Sequence, residues 1–571
     1  MLRQLLTRPE KIKCLGILVF ALVTSVFEIV TAGVIVVFAQ VLNAPTTGQQ
    51  YLDKIGFSPN LSAGRIVFCI AMIVGGVFIL KNIVAAAEVF FQNFTLQKMN
   101  YHFITKMLQR YSKADYGFYL TRNSSFGMQV VGGDVEMLFT GGMLSLAGMI
   151  TESIVFIGLL GTVIFMNPSL ALIIFGVGGV IAAAVAKGIL PQFYRWGQKF
   201  QDAGMYGRQY LLQFFHAFKE IVLLGKRDAF VAAYQVHALK RARVVALQTA
   251  ASALPRMVLE ILFVGLFVFA VAYLCIDHES PVQMIGVLGG YLYAGFRLMP
   301  GLNRIIGQLS TLKSAIPAIA RVHGEYTNIA GEERYKDLPD FKFEHSLCFK
   351  DVYFRYLNTE TDALSGVNLD IKKGDCVGIV GETGSGKSTL VDLMLGLLQP
   401  SAGSIVVDGA FPVHAYQWHQ KIGYVPQVVY LTDDTIAANI AFGEEAIDAI
   451  QLNKAIDAAQ LRRFMDALPQ GAQTIVGERG IRLSGGERQR ISIARALYRN
   501  PEVLIFDEAT SALDNKTEER LMETIHSVSQ DRTVIMIAHR VFTLQRCNRI
   551  IKIKNSKASL LDSKDFEELM Q

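Results

Sequence analysis

Cysteine is scarce in this chain and has no pattern. The six residues, at positions 14, 69, 275, 348, 376 and 547 of 571, form no CxxC pair and no metal-ligand spacing. Their scatter argues against disulfides or cysteine metal ligands and fits packing residues in a reducing compartment. Charge is missing in a more telling way. Up to about Ser310 the chain holds long apolar runs, enough to lift the mean hydropathy above zero, and runs of twenty or more such residues are hard to solvate outside lipid. A cleavable leader is not expected either, because the first apolar run, Cys14 to Leu42, is too long for one and reads as an anchor that stays.

Six spans are expected, at roughly 14–42, 64–93, 137–166, 169–189, 253–276 and 281–310. Several exceed the roughly 20 residues needed to cross hydrocarbon, so their helices are expected to continue beyond it. The connecting segments set the orientation. Gln97–Glu136 and Leu190–Thr249 are rich in Lys and Arg, whereas Asn167–Pro168 and Asp277–Ser280 carry none. By the positive-inside rule the two long loops and both termini are cytoplasmic. The formal net charge of +6 is therefore mostly topology, and no nucleic-acid partner is expected.

What is present lies in the other half. GETGSGKS runs from Gly381 to Ser388 (Gly381, Glu382, Thr383, Gly384, Ser385, Gly386, Lys387, Ser388) between the apolar stretches CVGIV and TLVDLMLGLL, the latter beginning at Thr389. A strand, a glycine-rich loop and a helix in that order cradle phosphates on backbone N–H groups. Lys387 reaches the terminal phosphates and the Ser388 hydroxyl meets Mg2+. VGIV, SIVV, IGYV, VLIF and TVIMIA read as buried strands of an α/β domain. VLIFDE ends in two carboxylates: Asp507 is placed to hold Mg2+ and Glu508 to polarise an attacking water. His539, in IAHR, and Gln427, in GYVPQ, are weak signals alone. At strand ends an imidazole suits the γ-phosphate and an amide suits Mg2+ or water.

Taken together, GETGSGKS, YVPQ, LSGGERQR, VLIFDEATSALD and IAHR stand in the order and spacing of an ATP-binding cassette, and the chain resembles that family over about 225 residues. The resemblance implies that ATP is bound, that Tyr356 stacks on adenine, and that Ser484, Gly485 and Gly486 bind the γ-phosphate of nucleotide held by another subunit. It also implies that Ser511–Asp514 link two sites across an interface and that Thr474–Gly480, with Glu478, contact the membrane half. One cassette per chain then means a dimer, most simply of two identical copies. Six spans before a cassette resemble an exporter-type half-transporter with the type I exporter fold. That organisation gives a transmembrane domain at 1–324, a linker at 325–343 and the cassette at 344–571, in a bacterial inner membrane. Coupling helices are expected within Ala114–Arg122 and Phe218–Asp228.

KEIVLLGKRDAF, LPRMVLE and FRLMPGLNRI resemble a narrower group, the flippases of the PglK type that move polyprenyl-pyrophosphate-linked oligosaccharides. Arg256, Arg297, Arg304 and Lys81 lie in or beside apolar spans, where an unpaired charge costs about 2.5–3.5 kcal/mol or more. Either they face a wet cavity and clamp a pyrophosphate, or they snorkel, with Arg256 pairing to Glu260 one turn on. Glu28, Glu88 and Glu152 are placed to neutralise these cations or to bind a cationic drug. The loop 43–63, with QQYLDKIGF, reads as a capped loop. Two readings stand beside the flippase: an exporter of drugs, peptides or other lipids with the same engine, and a channel or regulator that uses ATP binding as a switch.

Overall fold

The computed structural model describes residues 5–43, 62–166, 176, 187–188, 190–276, 281–329, 338–357, 359–508, 523, 532–537, 544–545 and 547–561. Expectations for the 43–63 loop beyond Asn43, the short turns at 167–168 and 277–280, nearly all of the span 169–189, the segment 511–514 and His539 fall outside those residues. The chain forms two compact units, one of Met1–Ala114 with Thr121–Gly331 and one of Asp115–Leu120 with Glu332–Gln571.

The first unit is helical. Helices α1 (Arg8–Asn43) and α2 (Ala63–Ser112) are followed by α3 (Tyr116–Leu120), a short helix that groups with the second unit. The run from Ser124 to Met166 is α4 (Ser124–Gln129), π-helical turns at Val130–Asp134 and Leu138–Leu144, and α5 (Ser145–Met166). Each π turn holds a glycine pair, Gly132–Gly133 or Gly141–Gly142, where a widened turn meets little steric resistance. Then come α6 (Leu190–His216), α7 (Phe218–Leu223), α8 (Arg227–Ile276) and α9 (Pro281–Asn328).

At 50 residues, α2 and α8 are each about 75 Å long against a hydrocarbon core of about 30 Å, so both extend well beyond it. Among the described residues four stretches are long and apolar enough to cross a membrane, within Arg8–Ile35, Ala63–Ser112, Ser124–Gly158 and Arg227–Gly265.

One buried carboxylate in this unit meets a cation and an amide. Asp134, fully buried, forms an ion pair with Arg321 (Nε to Oδ2 2.8 Å) and accepts hydrogen bonds on Oδ1 from Arg321 Nη2 at 3.2 Å and Gln129 Nε2 at 3.0 Å, and Arg321 also donates to Gln201 at 2.9 Å. Helices α6 and α9 cross so closely that a Cβ at Gly197 would lie 2.2 Å from the Ser314 carbonyl oxygen. Only glycine permits that approach. The end of α9 differs from the sequence reading, which began the linker at residue 325. The helix continues to Asn328 because its last turn is anchored. Glu325 is buried against Arg122 at 2.6 Å, and the Arg110 guanidinium lies 3.7 Å from the Tyr326 ring centre.

In the second unit two sheets form. One is antiparallel, in the order β2 (Leu364–Lys372), β1 (Ser346–Phe354), β4 (Ala402–Val407), β5 (Phe411–Pro412). The other runs β10 (Lys557–Leu560), β9 (Arg549–Lys554), β3 (Cys376–Gly381), β8 (Thr533–Ile537), β7 (Val503–Asp507), β6 (Ile422–Val425), parallel except for β10. Continuous apolar runs such as VLIF and TVIMI are buried along their length, as strands inside a parallel sheet must be. SIVV is the exception. It lies in β4 of the antiparallel sheet, where Ile405 and Val407 are buried, Ser404 is exposed and Val406 half-buried, so one face is solvated. Helix α10 (Lys387–Met394) follows β3, and α11 (Ile436–Ile440), α12 (Ala449–Ala458) and α13 (Gly485–Tyr498) pack in a second apolar core with Leu431, Val476 and Phe506.

Candidate nucleotide site

Strands β3, β8, β7 and β6 are neighbours and parallel, so their C-terminal ends share one edge of the sheet. Ligands of open α/β sheets bind at that edge. Gly381 ends β3, Asp507 ends β7, and Gln427 follows β6 by two residues. Three stretches distant in sequence are thereby gathered by strand order alone.

The phosphate loop occupies this edge. Gly384 (φ +81°) and Gly386 (φ +109°) take left-handed conformations, and a Cβ on Gly386 would stand 2.7 Å from the Ala363 carbonyl oxygen. Gly386 is the N-cap of α10 and supplies no side chain to its first N–H groups, which stay available to an anion. Lys387 is buried and folds back, its Nζ donating to the carbonyls of Gly381 (2.8 Å) and Glu382 (2.9 Å). The Ser385 hydroxyl is buried within the loop with no hydrogen-bond partner. A glycine cradle, a lysine bound only to carbonyls and an orphaned hydroxyl fit a phosphate chain. Ser388 and Thr383 are exposed at the same loop. The Tyr356 hydroxyl meets Thr389 Oγ1 at 2.9 Å while its ring packs edge-on against Phe354 at 4.9 Å. Ring and phosphate helix are therefore joined directly.

Asp507 and Glu508 differ in environment. Burial raises the Asp507 carboxyl above its usual range and Glu508 adds to the rise, while a hydrogen bond from the Tyr424 hydroxyl to Oδ2 at 3.2 Å works against it. Glu508 has a left-handed backbone, φ +49°, a strained conformation for a residue with a Cβ. Its Oε2 accepts a bond from Gln427 Nε2, so the amide and the carboxylate expected to act together are in contact.

LSGGE opens α13. The Ser484 hydroxyl accepts the Glu487 N–H at 3.3 Å, and the Glu487 carboxylate accepts the Ser484 N–H at 2.7 Å, a full capping box. A hydroxyl that accepts at a cap still has its own proton to donate, so capping and anion binding are compatible in one serine. Further along α13, Arg495 donates to the carbonyls of Asn439 (2.8 Å) and Tyr430 (3.0 Å) and stacks on Phe442, fixing the chain that follows Gln427.

Three residues here carried no signal of their own in the sequence. Tyr424 holds Asp507. Asp392, on α10, is pushed up to about 6 by burial and by Asp507, and Tyr116 of α3 is raised by burial and by Asp392. The GYVPQ motif contains Tyr424, but only the pairing of β6 with β7 reveals what its hydroxyl touches.

The cations proposed from the membrane half are mostly paired. Lys81, buried, meets Glu28 at 2.7 Å, Arg304 bonds Glu152, and Arg256 bonds Glu260 at 2.8 Å one turn along α8 with both side chains exposed. The side chain of Arg297 lies outside the described residues. It stands in α9 seven residues before Arg304.

The ABC transporter family model matches residues 364–511. An ATP-dependent lipid A-core flippase of Saccharophagus degradans is 45% identical over 211 residues, 36% of this chain and 36% of its own. Another of that description, from Alkalilimnicola ehrlichii, is 31% identical over 412 residues, 71% of this chain and 69% of its own. The chain belongs to the ABC transporter family. Its fold is that of an exporter: the solved structure of a bacterial Atm1-family ABC exporter with ATP bound superposes with a TM-score of 0.78, covering 98% of this chain and 96% of that one at 23% identity. As a member of that family the chain carries an ATP-binding cassette, and its helical unit has stretches long and apolar enough to cross a membrane. The match spans only about a third of the first relative's length, and no relative's cargo passes to this chain by likeness.

Proposed function

We propose that this transporter is an ATP-driven flippase that works as two identical chains and moves a polyprenyl-pyrophosphate-linked oligosaccharide from the inner to the outer leaflet of a bacterial inner membrane. The observation that carries the cargo is the Arg304–Glu152 pair between α9 and α5, whose guanidinium remains half-exposed at 56%. A half-buried carboxylate that holds an accessible guanidinium can yield it to a stronger anion. A diphosphate offers more acceptors than a carboxylate and suits the guanidinium fork. Lys81, held by its partner Glu28, is a second cation released when a headgroup arrives, and Arg297, two turns from Arg304 on α9, joins them. Arg256 and Glu260, both exposed, form a further pair that a diphosphate can open.

In the cassette, Lys387 and the N–H groups of Gly384, Ser385 and Gly386 bind the phosphates, Thr389 holds Tyr356, and Tyr356 stacks on adenine. Ser388, Gln427 and Asp507 would hold Mg2+, which when bound offsets phosphate charge. Glu508 takes the proton of the attacking water, Gln427 orients both, and His539 donates to the γ-phosphate. Ser484, Gly485 and Gly486 serve the nucleotide of the partner copy. Exposed Phe218 and Leu223 on α7, with Leu224 beside it, are apolar and suit cover by a second copy's cassette.

A second reading, a lipid A-core cargo, is favoured by the names of the relatives described above. The test is transport by the purified protein in liposomes. ATP-dependent translocation of a fluorescent polyprenyl-diphosphate oligosaccharide, with no movement of lipid A-core, is the expected outcome. Movement of lipid A-core alone favours the second reading, and stimulation of ATPase only by cationic drugs removes both.

A further inference from the structure

Two of the scattered cysteines meet. The sulfurs of Cys376, at the start of β3, and Cys547, just before β9, lie 3.4 Å apart although 171 residues separate them in sequence. The backbone holds them there. Asn548 donates its N–H to the Cys376 carbonyl at 2.9 Å and accepts the Cys376 N–H on Oδ1 at 2.9 Å. Asp375, next to Cys376, takes Asn548 Nδ2 at 3.3 Å and Arg549 Nη1 at 2.8 Å. The parallel register of β3 with β9, Val377 opposite Arg549, continues the same clasp. Both thiols are half-buried. A disulfide bond is about 2.05 Å long, so closure needs the sulfurs to approach by about 1.3 Å.

We propose that Cys376 and Cys547 form a reversible intrachain disulfide on exposure to a hydroperoxide, an oxidation site built into the cassette. The two thiols are not equivalent. A hydrogen bond from Cys547 favours the Cys376 thiolate, and that bond together with burial keeps Cys547 protonated. Cys376 is thus the attacking sulfur. Its thiolate displaces water, as hydroxide plus a proton, from hydrogen peroxide and becomes a sulfenic acid. The Cys547 sulfur then attacks that sulfur, the S–O bond breaks, and the hydroxide leaves with the Cys547 proton as a second water. Two thiols lose two electrons and two protons, and one peroxide becomes two waters. In a reducing cytoplasm such a bond is transient and responsive rather than structural.

The site lies at the opposite end of β3 from the phosphate loop, about 16 Å from Gly381 along the strand. Oxidation should therefore leave nucleotide binding intact. It closes a loop that runs from the strand before the phosphate loop to the strand after IAHR, and a cross-link over so long a loop stabilises the folded cassette. The experiment uses the full chain in nanodiscs, titrated with hydrogen peroxide and analysed by differential alkylation and mass spectrometry. Both thiols should disappear together, at peroxide doses about tenfold below those that modify Cys348, and return with dithiothreitol. The cassette melting transition should rise by about 5–10 °C in the oxidised form and not in Cys547→Ser. In that variant Cys376 should stop at a sulfenic acid trapped by dimedone. Cys547 still alkylatable after Cys376 has reacted, a cross-link between two chains, or unchanged melting of the oxidised protein would each overturn the proposal.

Discussion

At the tips of β3, β6 and β7 a lysine is held only by carbonyls, a serine hydroxyl has no partner, and two adjacent carboxylates face the same edge. Inside the helical unit the cations Lys81, Arg304 and Arg321 are each matched to a carboxylate. The contrast follows from what each region meets. Water and a polyanion reach the sheet edge, so unbalanced groups there are stabilised by solvent and then by ligand. In hydrocarbon an unbalanced charge has no such recourse, so the helices carry ready-made pairs, which under the proposed function a cargo must open. One region gains by binding; the other exchanges partners.

The sharpest test of the cassette side is Glu508→Gln. If the carboxylate is the base, ATP turnover should fall by about 10²–10⁴-fold while ATP binding persists, measured as phosphate release against nucleotide retention. Retained turnover would leave Glu508 as a strained strand end without a chemical role. Tyr424→Phe comes next. Losing the hydroxyl that holds Asp507 should raise the Mg2+ concentration for half-maximal ATPase by about tenfold with a smaller change in maximal rate, as for other supports of metal ligands. An equal fall in rate at every Mg2+ concentration would mean that the tyrosine only packs.

The membrane side predicts a smaller effect with the opposite sign for the two partners. Glu152→Gln frees Arg304 and should strengthen retention of a diphosphate lipid several-fold, by about 1 kcal/mol, whereas Arg304→Ala should weaken it by a similar amount. Binding of labelled lipid to the nanodisc-held protein reads both. Parallel loss in the two variants would mean that the pair is structural, and the contrast between exchange and open binding would fail.

The cassette was largely legible because its motifs are themselves geometry. A glycine where φ must be positive, a lysine after it and acids after a buried strand can be read one residue at a time. Tyr424, Asp392 and Tyr116 were not legible, since each matters only through a neighbour brought near by strand order or by a short helix distant in sequence. The linker boundary had the same cause. GEYTN is polar and turn-like, yet Arg122 and Arg110 hold it in helix. In the membrane half the sequence supplied the charges and left open whether they face cargo or one another. Helix packing shows which carboxylates Lys81 and Arg304 meet, and only the local i,i+4 pair of Arg256 with Glu260 was readable beforehand.

Asp392 is a place where the cassette itself carries an unfavourable charge, and it gives the most specific prediction. Burial, then Asp507, raise its carboxyl from 3.8 to about 6. The folded state therefore keeps a proton that the unfolded chain has released between about pH 4 and 6, so stability falls as pH rises through that window and the penalty is complete above it. The shift sets a ceiling of about 3 kcal/mol, and water reaching a half-buried group reduces it to about 1–2 kcal/mol. Asp392→Asn should then raise the melting temperature of the ligand-free cassette at pH 7 by about 3–6 °C, with no gain at pH 4. The same substitution at Glu152 or Glu28 should not stabilise, because those carboxylates have cations and Asp392 is set beside another acid. A loss of stability at pH 7 in Asp392→Asn would mean that the carboxylate is favourably engaged, and the cassette would then balance its charges as the membrane helices do.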